Sequence, residues 1–166
     1  TRSSNVTGVQ TCALPISAKR MGGQLMGRWV TVYGAGLMAP VARRWKAQIN
    51  ENSKAAASFE VIPETNHNAL QGLLQPEAQF NASMSLFLLA AHDDKRNQKR
   101  TELTRTAVMV EGQNPDMITA VGETRMANLW TALHYGDYVS FYLAMAYGYD
   151  PTPVPALAVF KNEMAR

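Results

Sequence analysis

Cysteine is nearly absent: Cys12 is the single one in 166 residues. No disulfide can close within the chain, and neither a cysteine zinc site nor a disulfide-stapled scaffold can be built from it. Long apolar runs are missing too. The stretch from Met84 to Ala91 falls far short of the roughly 20 residues that span a bilayer. No block of Lys and Arg with interleaved aromatics marks a nucleic-acid surface. The charge-rich stretch Lys95 to Arg105 reads instead as a solvated helix face. Net charge is only +3, which suits an anionic small molecule without requiring one. What is present is an ordinary globular composition, 46% hydrophobic and 17% charged, at a length suited to one domain. Leu14-Pro15-Ile16 does not make the apolar core of a secretory signal. Cytoplasmic location is the expectation.

The first residues do not match the rest. Thr1 to Ser17 show neither helical nor strand periodicity. They resemble a peptide read from sequencing-adapter DNA at the end of an assembled gene fragment, the alternative being a genuine disordered tail. The domain is therefore expected over residues 18–166, with residues 1–17 outside it and the natural chain continuing upstream.

From Arg28 the pattern becomes regular. Trp29 to Tyr33 is β-branched and aromatic and stops at Gly34-Ala35-Gly36, a strand running into a glycine turn. Pro40 suits the first turn of a helix reaching about Ser53. Phe59 to Ile62 reads as a strand ended by Pro63, and Asn66 to Leu74 as a short helix. Met84 to Ala91 reads as a buried strand. Arg96 to Glu111 has helical period, with Leu103, Ala107 and Val110 on its apolar side. Met117 to Val121 is a further strand, closed by Gly122. Met126 to Tyr147 is a long helix with Gly148 at its C′ position, and Val154 to Met164 a last one. Strands buried on both faces and alternating with helices predict an α/β sandwich with a parallel sheet. Ligands in such sheets bind beyond the carboxyl ends of the strands. That directs attention to residues 34–40, 62–70, 92–96 and 122–125.

The Gly34-Ala35-Gly36 turn has Ala39 where a dinucleotide fingerprint would place its third glycine. No acidic residue stands at the end of the second strand to hold a ribose, so the turn reads as a tight strand-to-helix connection or a sugar-binding loop. His67, His92 and His134 lack metal-ligand spacing, and His92-Asp93-Asp94 reads as a solvated loop. Two polar clusters carry more chemistry. Gln48-Ile49-Asn50-Glu51-Asn52 supplies a carboxylate near a helix end, and Asn66-His67-Asn68 supplies an imidazole just past a strand end. One base and one acid are what an aldose–ketose isomerisation uses. A carboxylate shuttles a proton between adjacent carbons through an enediol, and an acid/base opens the sugar ring. The two residues either meet at one sheet edge or serve two sites in a dimer.

The run YGAGLMAPVARRWKAQINENSKA (Tyr33 to Ala55), PETNHNA (Pro63 to Ala69), the Gly122 to Arg125 loop and GDYVSFYLAMAYGYDPTPVPALAVFK (Gly136 to Lys161) resemble the bifunctional phosphoglucose/phosphomannose isomerases. The resemblance runs from about Arg28 to the end of the chain. It implies the C-terminal one of two sugar-isomerase (SIS) domains, a three-layer, flavodoxin-like sandwich acting on a sugar 6-phosphate without metal or other cofactor. It implies three catalytic residues: Glu51 as the enediol base, His67 as the ring-opening group given to a neighbouring subunit of a homodimer, and Lys161 as a group that contacts the sugar or helps to open its ring. Gly34, Gly36, Asn52, Asn66 and Thr152 become substrate-binding candidates. The phosphate loop and the cation that steadies the enediolate would belong to the other domain, so this chain alone is expected to be inactive. A sugar-phosphate-binding SIS module without catalysis, and a plain dimerisation domain built on the aromatic helix Tyr135 to Tyr147, are the competing readings.

Overall fold

The computed structural model describes residues 6–166, with side chains described from Pro15 onward; Cys12 is outside that range. Four strands form one sheet: β1 (Trp29–Ala35), β2 (Ala57–Ile62), β3 (Ser83–Leu89) and β4 (Pro115–Thr119). Their order is β2-β1-β3-β4 and every pairing is parallel. The described residues also form five α-helices: α1 (Val6–Gln24), α2 (Ala39–Ser53), α3 (Lys95–Val110), α4 (Arg125–Tyr147) and α5 (Pro155–Met164).

Strand alternation builds two cores, one on each face of the sheet. Val30, Val32, Leu86 and Leu88 are buried with Trp45 and Ile49 of α2 and Val139 and Leu143 of α4. Tyr33, Ala35 and Phe87 point the other way, toward Val108 of α3. Tyr33 stacks on Phe87 with ring centroids 4.4 Å apart. Each such fully buried side chain contributes about 1.5–3 kcal/mol of transfer free energy. The result is the expected three-layer α/β sandwich.

Helices α2 and α4 lie side by side and run the same way, as their cross-links step together along both. Trp45 Nε1 donates to the Ala132 carbonyl at 2.9 Å. Gln48 bonds Asp137, and Asn52 Nδ2 reaches Ser140 Oγ at 3.0 Å. Helix α4 starts with a Thr124 cap on the Ala127 amide and ends at Gly148, φ +75°, the expected glycine stop.

Three expectations need correction. Helix α1 begins inside the stretch placed outside the fold. Its register is set by tertiary contact rather than by its own weak periodicity: Ala18 and Met21 are buried, and Ser17 Oγ bonds Tyr135 Oη at 2.9 Å. In place of one helix over 66–74, residues 64–74 hold two 3₁₀ turns, Glu64–Asn66 and Gln71–Leu74. Asn68 bonds Glu64 and the Ala69 amide, offering the backbone a local alternative to a continuous helix. On α3, Leu103 is 59% and Val110 74% exposed. Thr101, Thr104 and Val108 are buried instead. The two threonine hydroxyls bond the carbonyls of Asn97 and Arg100, so their methyl groups pack as apolar surface.

Helix α5 has no buried residue. Phe160 is 61% and Met164 73% exposed, and Leu157 and Val159 are exposed beside them. No helix among the described residues is long and apolar enough to cross a membrane.

Candidate functional site

Parallel strands divide the loops into two sets. Connections leaving the strands gather at the carboxyl edge of the sheet. Helix ends that lead into the next strand gather at the amino edge. Glu51 lies in the last turn of α2, just before β2, and so at the amino edge. His67 lies just past β2, at the carboxyl edge. The five residue steps from Ala57 to Ile62 alone separate the two edges by about 17 Å. Within one chain Glu51 and His67 therefore lie at opposite edges of the sheet, and the single-edge alternative fails.

Gly34, Gly36, Asn66 and His67 share the carboxyl edge. A Cβ on Gly34 would come within 2.4 Å of the Met38 carbonyl, so β1 can turn into α2 here only without a side chain. Gly36, at φ +43°, leaves room for Asp93 and Asn97. The Asp93 carboxylate accepts from the Leu37 amide at 3.2 Å and the Asp94 amide at 2.8 Å. Asp94 caps α3 on the Arg96 amide, and His92 Nδ1 is 3.1 Å from Oδ1 of the buried Asn128. The His92-Asp93-Asp94 run is the expected solvated loop, with His92 and Asp94 exposed, and its side chains also cap the neighbouring backbone. Among the described residues no three His, Cys, Asp or Glu side chains converge as metal ligands would. Asn66 Nδ2 donates to Thr104 Oγ1 at 2.8 Å, fixing the Asn66-His67-Asn68 turn on α3 and leaving His67 exposed.

Glu51, Asn52 and Thr152 belong to the amino edge. Asn52 is committed to Ser140, and Ser53 Oγ donates to the Ser140 carbonyl at 2.7 Å. This leaves Glu51, exposed, as the outward group of the turn. It lines a cleft of about 630 Å³ between the end of α2 and the segment from Tyr149 to Leu157. The cleft is walled by Ala55, Ala56, Tyr149, Val154 and Leu157, with Asn50, Lys54 and Asp150 as its polar groups beside Glu51. Asp150 accepts from the Thr152 amide at 2.8 Å. Hydrogen bonding to Thr152, with a smaller contribution from the Lys54 charge, holds its carboxyl below the ordinary aspartate value. Thr152 is exposed on this turn, and Lys161 is exposed in the last turn of α5. Lys54 and Asp150 escaped attention in the sequence, although Lys54 is three residues from Glu51 and Asp150-Pro151-Thr152 is an Asx-turn signature.

Chemically, the amino edge presents a solvent-accessible carboxylate over an apolar floor, with one ammonium at hand. That suits a proton shuttle between neighbouring carbons. The carboxyl edge presents an exposed imidazole on a braced turn.

A family model described as the bacterial phospho-glucose isomerase C-terminal SIS domain matches residues 16–164. The chain is 38% identical to a bifunctional phosphoglucose/phosphomannose isomerase of Caldicellulosiruptor bescii, over 89% of this chain and 44% of that protein. It is 34% identical to the protein of the same name from Aquifex aeolicus, over 93% of this chain and 48% of that protein. The chain therefore spans under half the length of these relatives. In three dimensions it is similar to a glucose-6-phosphate isomerase like protein from Thermus thermophilus. That match has a TM-score of 0.62 and 19% identity, over 81% of this chain and 44% of the other.

Proposed function

The chain belongs to the bacterial phosphoglucose isomerase C-terminal SIS domain family, and from that premise we propose that it is the carboxy-terminal half of a two-domain aldose–ketose isomerase. Its relatives are named as sugar-phosphate isomerases, and the reaction proposed here interconverts glucose 6-phosphate and mannose 6-phosphate with fructose 6-phosphate. The observation that carries this reading is the placement of Glu51. It is the free carboxylate on an otherwise hydrogen-bonded helix turn, lining the cleft at the amino edge.

In this mechanism Glu51 takes the proton from C2 of the open-chain aldose and returns it to C1 through the enediol. The sugar lies with its carbons over the cleft and its hydroxyls reach Thr152 and the Oδ1 of Asn52, whose Nδ2 stays on Ser140, while Lys161 contacts it from α5. Gly34, Gly36 and Asn66 serve the substrate indirectly, by shaping the carboxyl-edge loops that carry His67. His67 opens the ring in a site belonging to a second copy. A two-fold axis across the strands reverses chain direction, so it can set the carboxyl edge of one copy beside the amino edge of the other. The separation of Glu51 from His67 within one chain supports this homodimer. The phosphate site and the cation facing the enediolate are assigned to the amino-terminal half. The exposed apolar residues of α5 support a covering partner there. Cytoplasmic location goes with this reading. No metal or cofactor is assigned a role.

The test uses the full-length two-domain protein with fructose 6-phosphate in D₂O, read by NMR. Wild type should incorporate deuterium at C1 and form both aldoses. Glu51→Gln should bind the sugar yet lose exchange by about 10²–10⁴-fold. Sugar binding by wild type without any exchange would replace the isomerase with a regulatory binding module.

A further inference from the structure

Lys54 stands out in the backbone. It is the one non-glycine residue with positive φ among the described residues, at φ +55° and ψ +26°. It occupies the position that ends α2, where glycine is the favoured residue because a Cβ is strained in the left-handed region. Its side chain folds back over the helix end. Nζ donates to the Glu51 carbonyl at 2.6 Å and to the Pro151 carbonyl at 3.1 Å. An ammonium has three N–H donors, so two are taken by these carbonyls. Both the Glu51 turn and the Pro151 loop line the same cleft, as does Lys54 itself.

Glu51 and Thr152 sit on segments that no regular secondary structure joins. The first ends α2, and the second follows the stop of α4. Residues 149–154 make no strand or helix, and the described polar cross-links from the Asp150–Thr152 turn to α2 come from Lys54. The cation also lies at the negative end of the α2 dipole, where a positive group is favoured. Asn or Gly would satisfy the left-handed backbone with less strain, but neither has the reach to bond both carbonyls.

We propose that Lys54 is a positioning residue of this site: its ammonium pins the Thr152 loop to the helix turn that carries Glu51, and so fixes the width of the cleft for the substrate. The activity consequence rests on the isomerase reading; the pinning itself does not.

Two measurements separate these. In the 166-residue chain, amide hydrogen exchange at Thr152 is compared for wild type, Lys54→Gly, Lys54→Gln and Lys54→Arg, with global unfolding followed in parallel. A charge-assisted hydrogen bond corresponds to a change on the order of 10- to 100-fold in an opening equilibrium. Lys54→Gly and Lys54→Gln should speed Thr152 exchange by about that factor, Lys54→Arg by much less. Lys54→Gly should not lower the unfolding midpoint, since glycine relieves the left-handed strain. Unchanged Thr152 exchange in both Lys54→Gly and Lys54→Gln would overturn the proposal whatever the enzyme does. In the full-length protein, Lys54→Gly should raise KM for fructose 6-phosphate about tenfold with kcat little changed, and Lys54→Arg should recover most of it. A fall in kcat at constant KM, unrescued by arginine, would reject the positioning role. Fast loop exchange in the Lys54 variants of a protein whose wild type lacks isomerase activity would leave the pinning standing and reject the isomerase reading alone.

Discussion

The contact between α2 and α4 offers a sharp test through Gly136→Ala. Gly136 is buried within α4, and a Cβ there would lie 2.3 Å from Nε1, 2.5 Å from Cε2 and 2.6 Å from Cδ1 of Trp45. No carbon fits at such distances, so the indole must move. It has little freedom to do so, since Trp45 is 1% exposed and its N–H is held by the Ala132 carbonyl. Overpacking costs about 1–3 kcal/mol, and losing the buried hydrogen bond adds about 1 kcal/mol. The higher helix propensity of alanine returns about 1 kcal/mol. The expected net loss is ~2 kcal/mol, or about 4–8 °C in Tm for a domain of this size. Gly23→Ala is the matched control: it is a helical glycine with nothing within 4 Å of the added carbon. That change should raise stability by about 0.5–1 kcal/mol. Urea unfolding read by far-UV circular dichroism measures both. A Gly136→Ala protein as stable as wild type would refute the claim that α2 and α4 touch through this glycine.

Further outcomes follow from the same contacts. Asp94→Ala removes the cap of α3 and should cost ~1 kcal/mol, measurable as a lower urea midpoint at constant slope. Thr104→Val should release Asn66 and broaden the His67 ring resonances in NMR, while the buried methyl packing of α3 is kept. The Asp150 carboxyl is held below its ordinary value of 3.8, mainly by the Thr152 hydrogen bonds. Because its folded value is depressed, the turn is fully formed above the unfolded value and is lost as pH falls through the folded one. The Thr152 amide shift should therefore titrate with a midpoint below 3.8. A midpoint at or above that value would contradict the turn geometry.

Part of the fold was legible because Trp29 to Tyr33 is a β-branched and aromatic run that stops at a glycine turn, Met84 to Ala91 is a continuous apolar run, and Gly148 marks the end of α4. Helix α1 was not legible, since only its last two turns carry a described packing face, and that face mixes the small Ala18 and Gly22 with Met21. A Cβ on Gly22 would come within 3.0 Å of the Leu143 amide nitrogen. The buried face of α3 was hidden by threonines whose hydroxyls are satisfied inside the helix. The candidate site was legible only as motifs. Searching the carboxyl ends of the strands leads to His67, Gly34 and Gly36, but Glu51 lies at the opposite edge, and only the ordered Glu51 and His67 motifs linked them. Lys54 gave no signal, since an αL lysine looks in sequence like any surface charge.

The central claim is that Glu51 of one copy works with His67 of another, and mixing two defective full-length proteins tests it most directly. Glu51→Gln and His67→Asn homodimers, each nearly inactive, are unfolded together, refolded at equal concentration and assayed for fructose 6-phosphate isomerisation. If sites are shared, each mixed dimer contains one site with both residues intact and one with neither. Half of randomly paired dimers are mixed, so about one quarter of wild-type activity should return. If mixed dimers form and activity stays at the level of the two separate mutants, Glu51 and His67 do not meet across a dimer and the account of the site is wrong.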